Sequence, residues 1–260
     1  MDTGLKGKVV VVTGGANGIG RGIVECFVEE GSNVVIADWN EADADAAVRR
    51  LRDQGSQVAF AKMDVRQPSD IRGMVSWVMQ TYGRIDVLVN DIGTHLYKPA
   101  IDMTVADFDK VVETDLRGHF LVSQQVFPHM IHHGGGAIVN IASVHALATR
   151  PKFSVYAAAK GGVVALTRGL ALEGAPHHVR VNVVLPGMSM SKEFQLRLNS
   201  LTPEQREAAL KRAAYNTPIG HVGEPKEIGY AAVFLASNKA SFITGAALTV
   251  DGGETVHLDW

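Results

Sequence analysis

The chain contains one cysteine, Cys26, so no intramolecular disulfide can form. Its apolar stretches stop far short of the ~20 residues that a membrane-spanning helix needs, so no membrane association is expected. Positive charge is not in excess either: 25 Lys and Arg face 27 Asp and Glu, a formal net charge of −2. Such a balance offers no broad cationic surface for phosphodiesters, and nucleic acid is not an expected partner. The N-terminal string MDTGLKGKVVVV lacks both a basic leader and a long apolar run, and with a single cysteine the expected location is a reducing cytoplasm. No linker, low-complexity tract or repeat breaks the chain, and no metal is expected.

What is present fits one large core: 260 residues, 46% hydrophobic and 20% charged. Short β-branched runs alternate with helix-length segments, starting with KVVVVT (8–13), NVVIAD (33–38), QVAFAK (57–62) and IDVLVN (85–90). Runs of this kind read as parallel strands buried on both faces. Gly31, Gly55 and Gly83 stand where left-handed caps would end the intervening helices. Further strands follow at 136–143, 180–185 and 246–252, with long helices near 103–131 and 154–174. The expected fold is a single α/β domain, a doubly wound parallel sheet with helices on both faces. One polar, helix-prone stretch, 188–218, reads as a small lid inserted over the carboxyl edge.

The first strand runs into VTGGANGIG and then into a helix. Gly14 suits a tight turn, Gly18 lets the backbone approach a pyrophosphate, and Gly20 permits close helix–strand packing, with the helix N-terminus facing the anion. Asp38 closes the second strand, 18 residues past Gly20. A carboxylate there can accept from both hydroxyls of an adenosine ribose and repels a 2′-phosphate, which favours NAD over NADP. No Arg or Lys occupies position 15 or 39. The same aspartate could instead only cap the following helix.

Tyr156 and Lys160, in YAAAK, are four residues apart on a helical segment and so project from one face. Of five tyrosines only this one is followed by Lys at that distance. Ser143 lies 13 residues upstream, at the carboxyl end of the fifth strand, on the edge where open α/β sheets bind ligands. Hydride loss from a secondary alcohol requires a base for the hydroxyl proton. A phenol whose ordinary pKa is ~10 can serve if a nearby ammonium favours the phenolate.

These pieces, TGGANGIG, Asp64 in MDV, Asn90 in VNDIG, Ser143 in NIAS, YAAAK and NVVLPG, in this order over essentially the whole chain, resemble the short-chain dehydrogenase/reductase family. The resemblance implies a nicotinamide cofactor held by Gly14, Asn17, Gly18, Ile19 and Gly20, with Asp64 and Val65 beside the adenine and Asn90 near the ribose. It also implies that Pro186, Gly187 and Ser191 contact the cofactor, and that Lys160 binds the nicotinamide ribose while Ser143 positions the substrate oxygen beside Tyr156. A homotetramer is expected on the same ground, aided by the small residues of 156–175.

Three departures stand out. Asp115, in TDLRGHF, replaces the asparagine that the family uses to anchor a proton relay through its main-chain carbonyl; Asp91 and Ile92 replace Asn-Ala; and Ser191 replaces threonine. Two classes therefore stay open: an active dehydrogenase, and a cofactor-binding protein whose altered relay leaves little turnover. Candidate substrate residues are His95, Ser143, His145, Phe153, Met188 and Phe194, a mixture of apolar wall and imidazole donors. His145 resembles a residue of sugar and polyol dehydrogenases and of hydroxybutyrate dehydrogenases. Lys152 is displaced by one position from the latter's carboxylate-binding lysine. A small polar hydroxyl substrate is expected, a sugar or polyol ahead of a hydroxy acid, with oxoacyl-thioester reduction third.

Overall fold

The structure is a computed structural model that describes residues 2–94 and 96–257. Its frame is a seven-stranded sheet in the order β3-β2-β1-β4-β5-β6-β7. The strands are β1 (Val9–Thr13), β2 (Asn33–Asp38), β3 (Val58–Lys62), β4 (Val87–Asn90), β5 (Gly136–Ile141), β6 (Val179–Pro186) and β7 (Ala247–Val250). All neighbours are parallel. Every expected strand is present, with ends displaced by no more than two residues.

Helices occupy the intervals: α1 (Gly18–Glu29), α2 (Glu41–Asp53), α3 (Pro68–Tyr82), α4 (Val105–Val112), α5 (Gly118–His132), α6 (Ser154–Gly174), α7 (Lys192–Asn199), α8 (Pro203–Tyr215) and α9 (Pro225–Ala236). Alternation along β1 sends Val10 and Val12 to one face, against Ile23 and Phe27 of α1 and Ile228 and Leu235 of α9. Val9 and Val11 feed the other face, with Val75 and Val78 of α3 and Val122 and Val126 of α5. Both faces of the strand are thus dry, as its unbroken valine run requires. Gly31, Gly55 and Gly83 have φ of 74°, 84° and 73° and end the segments before β2, β3 and β4.

Two features position the site. Strand order reverses between β1 and β4, so the crossovers diverge there and leave a crevice at the carboxyl edge. The long helix expected near 103–131 is broken: a π turn at Glu113–Arg117 separates α4 from α5, and the Gly118 amide donates to the Glu113 carbonyl. Such bulges recur at functional sites, and this one has the buried Asp115 at its centre. The stretch read as a lid forms α7 and α8, which share a small apolar cluster of Phe194, Leu198, Ala213 and Val222.

Candidate active site

A cleft of about 830 Å³ opens at the carboxyl edge of the sheet. At one end it is lined by Gly14, Asn17, Gly18 and Ile19, with Asp38, Asp64 and Val65 beside them. A Cβ at Gly14, whose φ is 69°, would lie 2.4 Å from the Asp91 carbonyl oxygen, and one at Gly20 would lie 2.3 Å from that of Gly14. The loop therefore closes onto α1 only without side chains. Gly20 does not line the cleft; it fulfils the packing role read for it. Asn17 begins α1 with no side-chain cap, its carboxamide donating instead to Asp43 at 3.1 Å, so the first-turn amides face the cleft as donors for an anion.

Asp38 is 7% exposed; one carboxylate oxygen accepts from the Ala16 amide at 3.2 Å and the other from Asn40 at 3.0 Å. It does not cap α2. Asn40 does, accepting from the Asp43 amide at 3.2 Å. Asp38 is thus a fixed anion on the cleft wall, and the loop, the uncapped amides and this carboxylate fit a dinucleotide. Asp64 is held by Arg66, whose guanidinium lies at 2.6 Å and keeps the carboxyl below its ordinary pKa. Arg66 and Trp39, which is 72% exposed, line the same end and escaped the sequence reading. The signal for Trp39 was its place directly after the strand-closing Asp38.

Asn90 lies behind the cleft wall. Its side chain does not line the cleft but donates to Ser123 at 3.1 Å and to Asn140 at 2.9 Å, and Asn140 donates on to Thr167 at 2.9 Å. This buried chain of donors ties β4 and β5 to α5 and α6 through two amides one strand apart in register, with the Asn90 Oδ1 left without a partner among the described residues.

At the other end Ser143 follows β5, and its hydroxyl accepts from the His145 amide at 3.2 Å and hydrogen-bonds Tyr156. Tyr156 and Lys160 lie one turn apart on α6, both buried, with the ammonium 5.7 Å from the phenol ring centroid. The ammonium donates to the carbonyls of Ile92 and Ile141, each at 3.3 Å. Burial raises the Tyr156 pKa, outweighing the downward pull of Lys160, and Asp115 adds to the rise. The lowering expected from the ammonium alone is overridden by desolvation.

Asp115 does not line the cleft; it lies fully buried, with one oxygen accepting from the Thr94 amide at 2.7 Å and the other 3.8 Å from the Lys160 ammonium. Burial lifts its pKa to about 6, against the opposing effect of Lys160. His119, fully buried in the next turn, was not anticipated: neither ring nitrogen finds a hydrogen bond among the described residues. Burial, then the charge of Lys160, lowers it to about 3 and keeps it neutral.

Around Ser143, the His145 ring stacks on Phe153 (4.5 Å, 20°) and meets Tyr156 edge-on at 5.5 Å. Pro186, Gly187, Met188, Ser191 and Phe194 complete the wall from β6 and α7. His95 lies outside the described residues. Lys152 faces away, its ammonium 4.9 Å over the Tyr97 ring, while Arg150 lines the cleft instead.

The arrangement offers a hydroxyl, a phenol and an ammonium at one end of a dinucleotide-shaped cleft, a set suited to hydride transfer coupled to proton transfer. A family profile described as enoyl-(acyl carrier protein) reductase matches residues 14–255. The chain is 40% identical over 248 residues to an L-fucose dehydrogenase of Oryctolagus cuniculus, covering 95% of this chain and 84% of that one. It is 36% identical over 250 residues to a 3-oxoacyl-[acyl-carrier-protein] reductase of Thermotoga maritima, covering 96% and 98%. The ligand-free aldohexose dehydrogenase of Thermoplasma acidophilum superposes with a TM-score of 0.90 at 32% identity, over 99% and 98% of the two chains. With the seven-stranded sheet, the cleft and these likenesses together, the chain belongs to the short-chain dehydrogenase/reductase family, whose members are nicotinamide-dependent oxidoreductases.

Proposed function

We propose that this oxidoreductase interconverts a secondary alcohol and a ketone on a small polyhydroxylated substrate, with NAD as its cofactor. The observation that carries the reading is the convergence of Ser143, Tyr156 and Lys160 at one end of a cleft whose other end is walled by the fixed carboxylate of Asp38. The cations that reach the Asp38 end, Arg66 and Lys192, are engaged by Asp64 and Asp43, which leaves a 2′-phosphate facing an anion. The sugar-linked dehydrogenases among the similar proteins support a polyol substrate.

Bound NAD supplies the hydride acceptor. Ser143 orients the substrate hydroxyl, and Tyr156 takes its proton during oxidation and returns it during reduction. Lys160 lowers the cost of the phenolate, opposing the burial that raises it. Asp115 holds Lys160 from below and, through the Thr94 amide, ties it to the loop that follows β4. The α7–α8 segment serves as a lid, since Lys192 at its start reaches across to Asp43 at 2.5 Å.

A homotetramer is part of the same proposal. Exposed Leu172 on α6, Tyr230 and Phe234 on α9, Phe242 and Leu248 supply apolar surface for self-association, which size-exclusion chromatography with light scattering would detect.

A second reading, reduction of an oxoacyl thioester, is favoured by the family profile and by the acyl-carrier-protein reductase likeness. A screen of polyols, aldoses, hydroxy acids and an oxoacyl thioester, each with NAD(H) and NADP(H), separates the two. The proposal expects NAD-linked oxidation of a polyhydroxy compound. Turnover of the thioester alone, with NADPH, would replace it, and NAD binding without turnover of any compound would leave a cofactor-binding protein.

A further inference from the structure

Five lysine and arginine side chains line the cleft among the described residues: Arg66, Lys110, Arg150, Lys160 and Lys192. Three are matched to carboxylates, Arg66 to Asp64 at 2.6 Å, Lys160 to Asp115 at 3.8 Å and Lys192 to Asp43 at 2.5 Å. The other two, Lys110 and Arg150, have no carboxylate within ion-pair distance among the described residues, and of these it is Arg150 that packs on an aromatic residue of the reacting end. Its position is nevertheless defined. The guanidinium carbon lies 4.9 Å over the Phe153 ring, the ring that stacks on His145 and meets Tyr156 edge-on at 6.1 Å. One phenylalanine therefore separates the guanidinium from the phenol.

The backbone that arranges this is strained. Lys152 has φ of 75°, a left-handed conformation that is unfavourable for a residue with a side chain. Its carbonyl accepts from the Lys98 amide at 3.2 Å, and its ammonium rests over Tyr97. The turn thereby carries Lys152 out of the cleft and leaves Arg150 and Phe153 lining it. Strain of this kind persists where the surroundings enforce it, and such positions cluster at binding sites.

The carboxylates that line the cleft are committed elsewhere. Asp38 and Asp64 belong to the dinucleotide end, and Glu254 accepts from the Met188 amide at 2.9 Å. Asp91 lies against the glycine loop, 2.8 Å from where a Gly20 Cβ would stand. A permanently charged planar fork, free of protein carboxylates and one ring from the reacting end, matches an oxyanion on the substrate.

We infer that Arg150 binds the substrate's carboxylate, so that the substrate is a polyhydroxy acid whose carbinol meets Ser143 and Tyr156. The inference rests on the dehydrogenase reading above. In the step it describes, the carbinol carbon loses hydride to NAD, the hydroxyl loses its proton to Tyr156, a keto acid forms, and the carboxylate is unchanged.

The test compares hexonates with hexitols of the same configuration as substrates for the NAD-saturated enzyme, in the wild type, Arg150→Gln and Arg150→Lys. The wild type is expected to favour a hexonate at least tenfold in kcat/KM. Arg150→Gln should cut that acid-to-polyol ratio at least tenfold, chiefly through KM, with Arg150→Lys intermediate, and the hexonate KM should rise with salt. Because the readout is a ratio within each variant, a general loss of folding cannot mimic it. Equal or better use of hexitols by the wild type, or a ratio unmoved in Arg150→Gln, overturns the role of Arg150 alone. Oxidation of neither class, with NAD bound, overturns the polyhydroxy-alcohol reading and this inference with it.

Discussion

At the scale of single residues, two carboxylates set the behaviour of the cleft. Asp38 is pinned by two backbone amides, so it cannot swing away from a 2′-phosphate. The wild type should use NAD at least tenfold more efficiently than NADP, a preference of ~1.4 kcal/mol. Asp38→Asn should shrink that ratio of specificity constants, and an unchanged ratio would mean that the choice is made elsewhere. Asp115 has two pH signatures. Its ordinary pKa of 3.8 is raised to about 6 by burial, so the folded protein holds this proton more tightly than the unfolded chain. The stability it contributes is fully present below pH ~4 and is lost as pH rises through ~6, a change approaching roughly 3 kcal/mol. Asp115→Asn cannot titrate, so urea unfolding at pH 4 and pH 8 should show the variant gaining on the wild type by about that amount. The second signature is kinetic: the Asp115 charge helps to hold the Tyr156 pKa up, so the asparagine variant should oxidise substrate with a profile shifted to lower pH. Superimposable profiles would detach Asp115 from the proton path.

At the scale of elements, the glycine loop and α1 act as one unit. Gly20→Ala would place a methyl 2.3 Å from the Gly14 carbonyl and 2.8 Å from the Asp91 carboxylate, forcing α1 off the loop. NAD titration should show an affinity loss of about tenfold or more, with a lower unfolding temperature. Elements of this kind were legible because their chemistry is local. Val9–Thr13 can only be a strand buried on both sides, and glycines between a strand and a helix have few other uses. The π turn was not legible, since an i→i+5 turn asks for no special residue and Glu113–Arg117 reads as ordinary helix. Nor was the Lys152 turn, where one left-handed residue decides which of Arg150, Lys152 and Phe153 line the cleft. The surroundings of Asn90 were hidden for a related reason: its strand-end position was visible, but its buried partners Ser123 and Asn140 come from distant elements. His119 is silent in the sequence, being one of ten histidines with no motif of its own.

At the scale of the whole molecule, the reversal of strand order at β1 and β4 makes the crevice, the glycine loop and Asp38 form one end, and β5 with α6 carry Ser143, Tyr156 and Lys160 to the other. In the proposed reaction the α7–α8 segment and the Arg150 turn, between β5 and α6, select what enters, while the sheet fixes where it reacts. In the proposed reaction cofactor binding and proton transfer are separate duties of this cleft, the second belonging to the Tyr156 hydroxyl. The most direct measurement takes Tyr156→Phe and the wild type side by side, with NAD affinity read by fluorescence titration and turnover by the appearance of reduced nicotinamide. NAD affinity should stay within a fewfold and turnover should fall by about a hundredfold or more, because the ring still packs on His145 and Phe153 but can no longer accept a proton. Turnover retained within tenfold, with the substrate bound as before, would contradict this assignment and move the base to another group in the cleft.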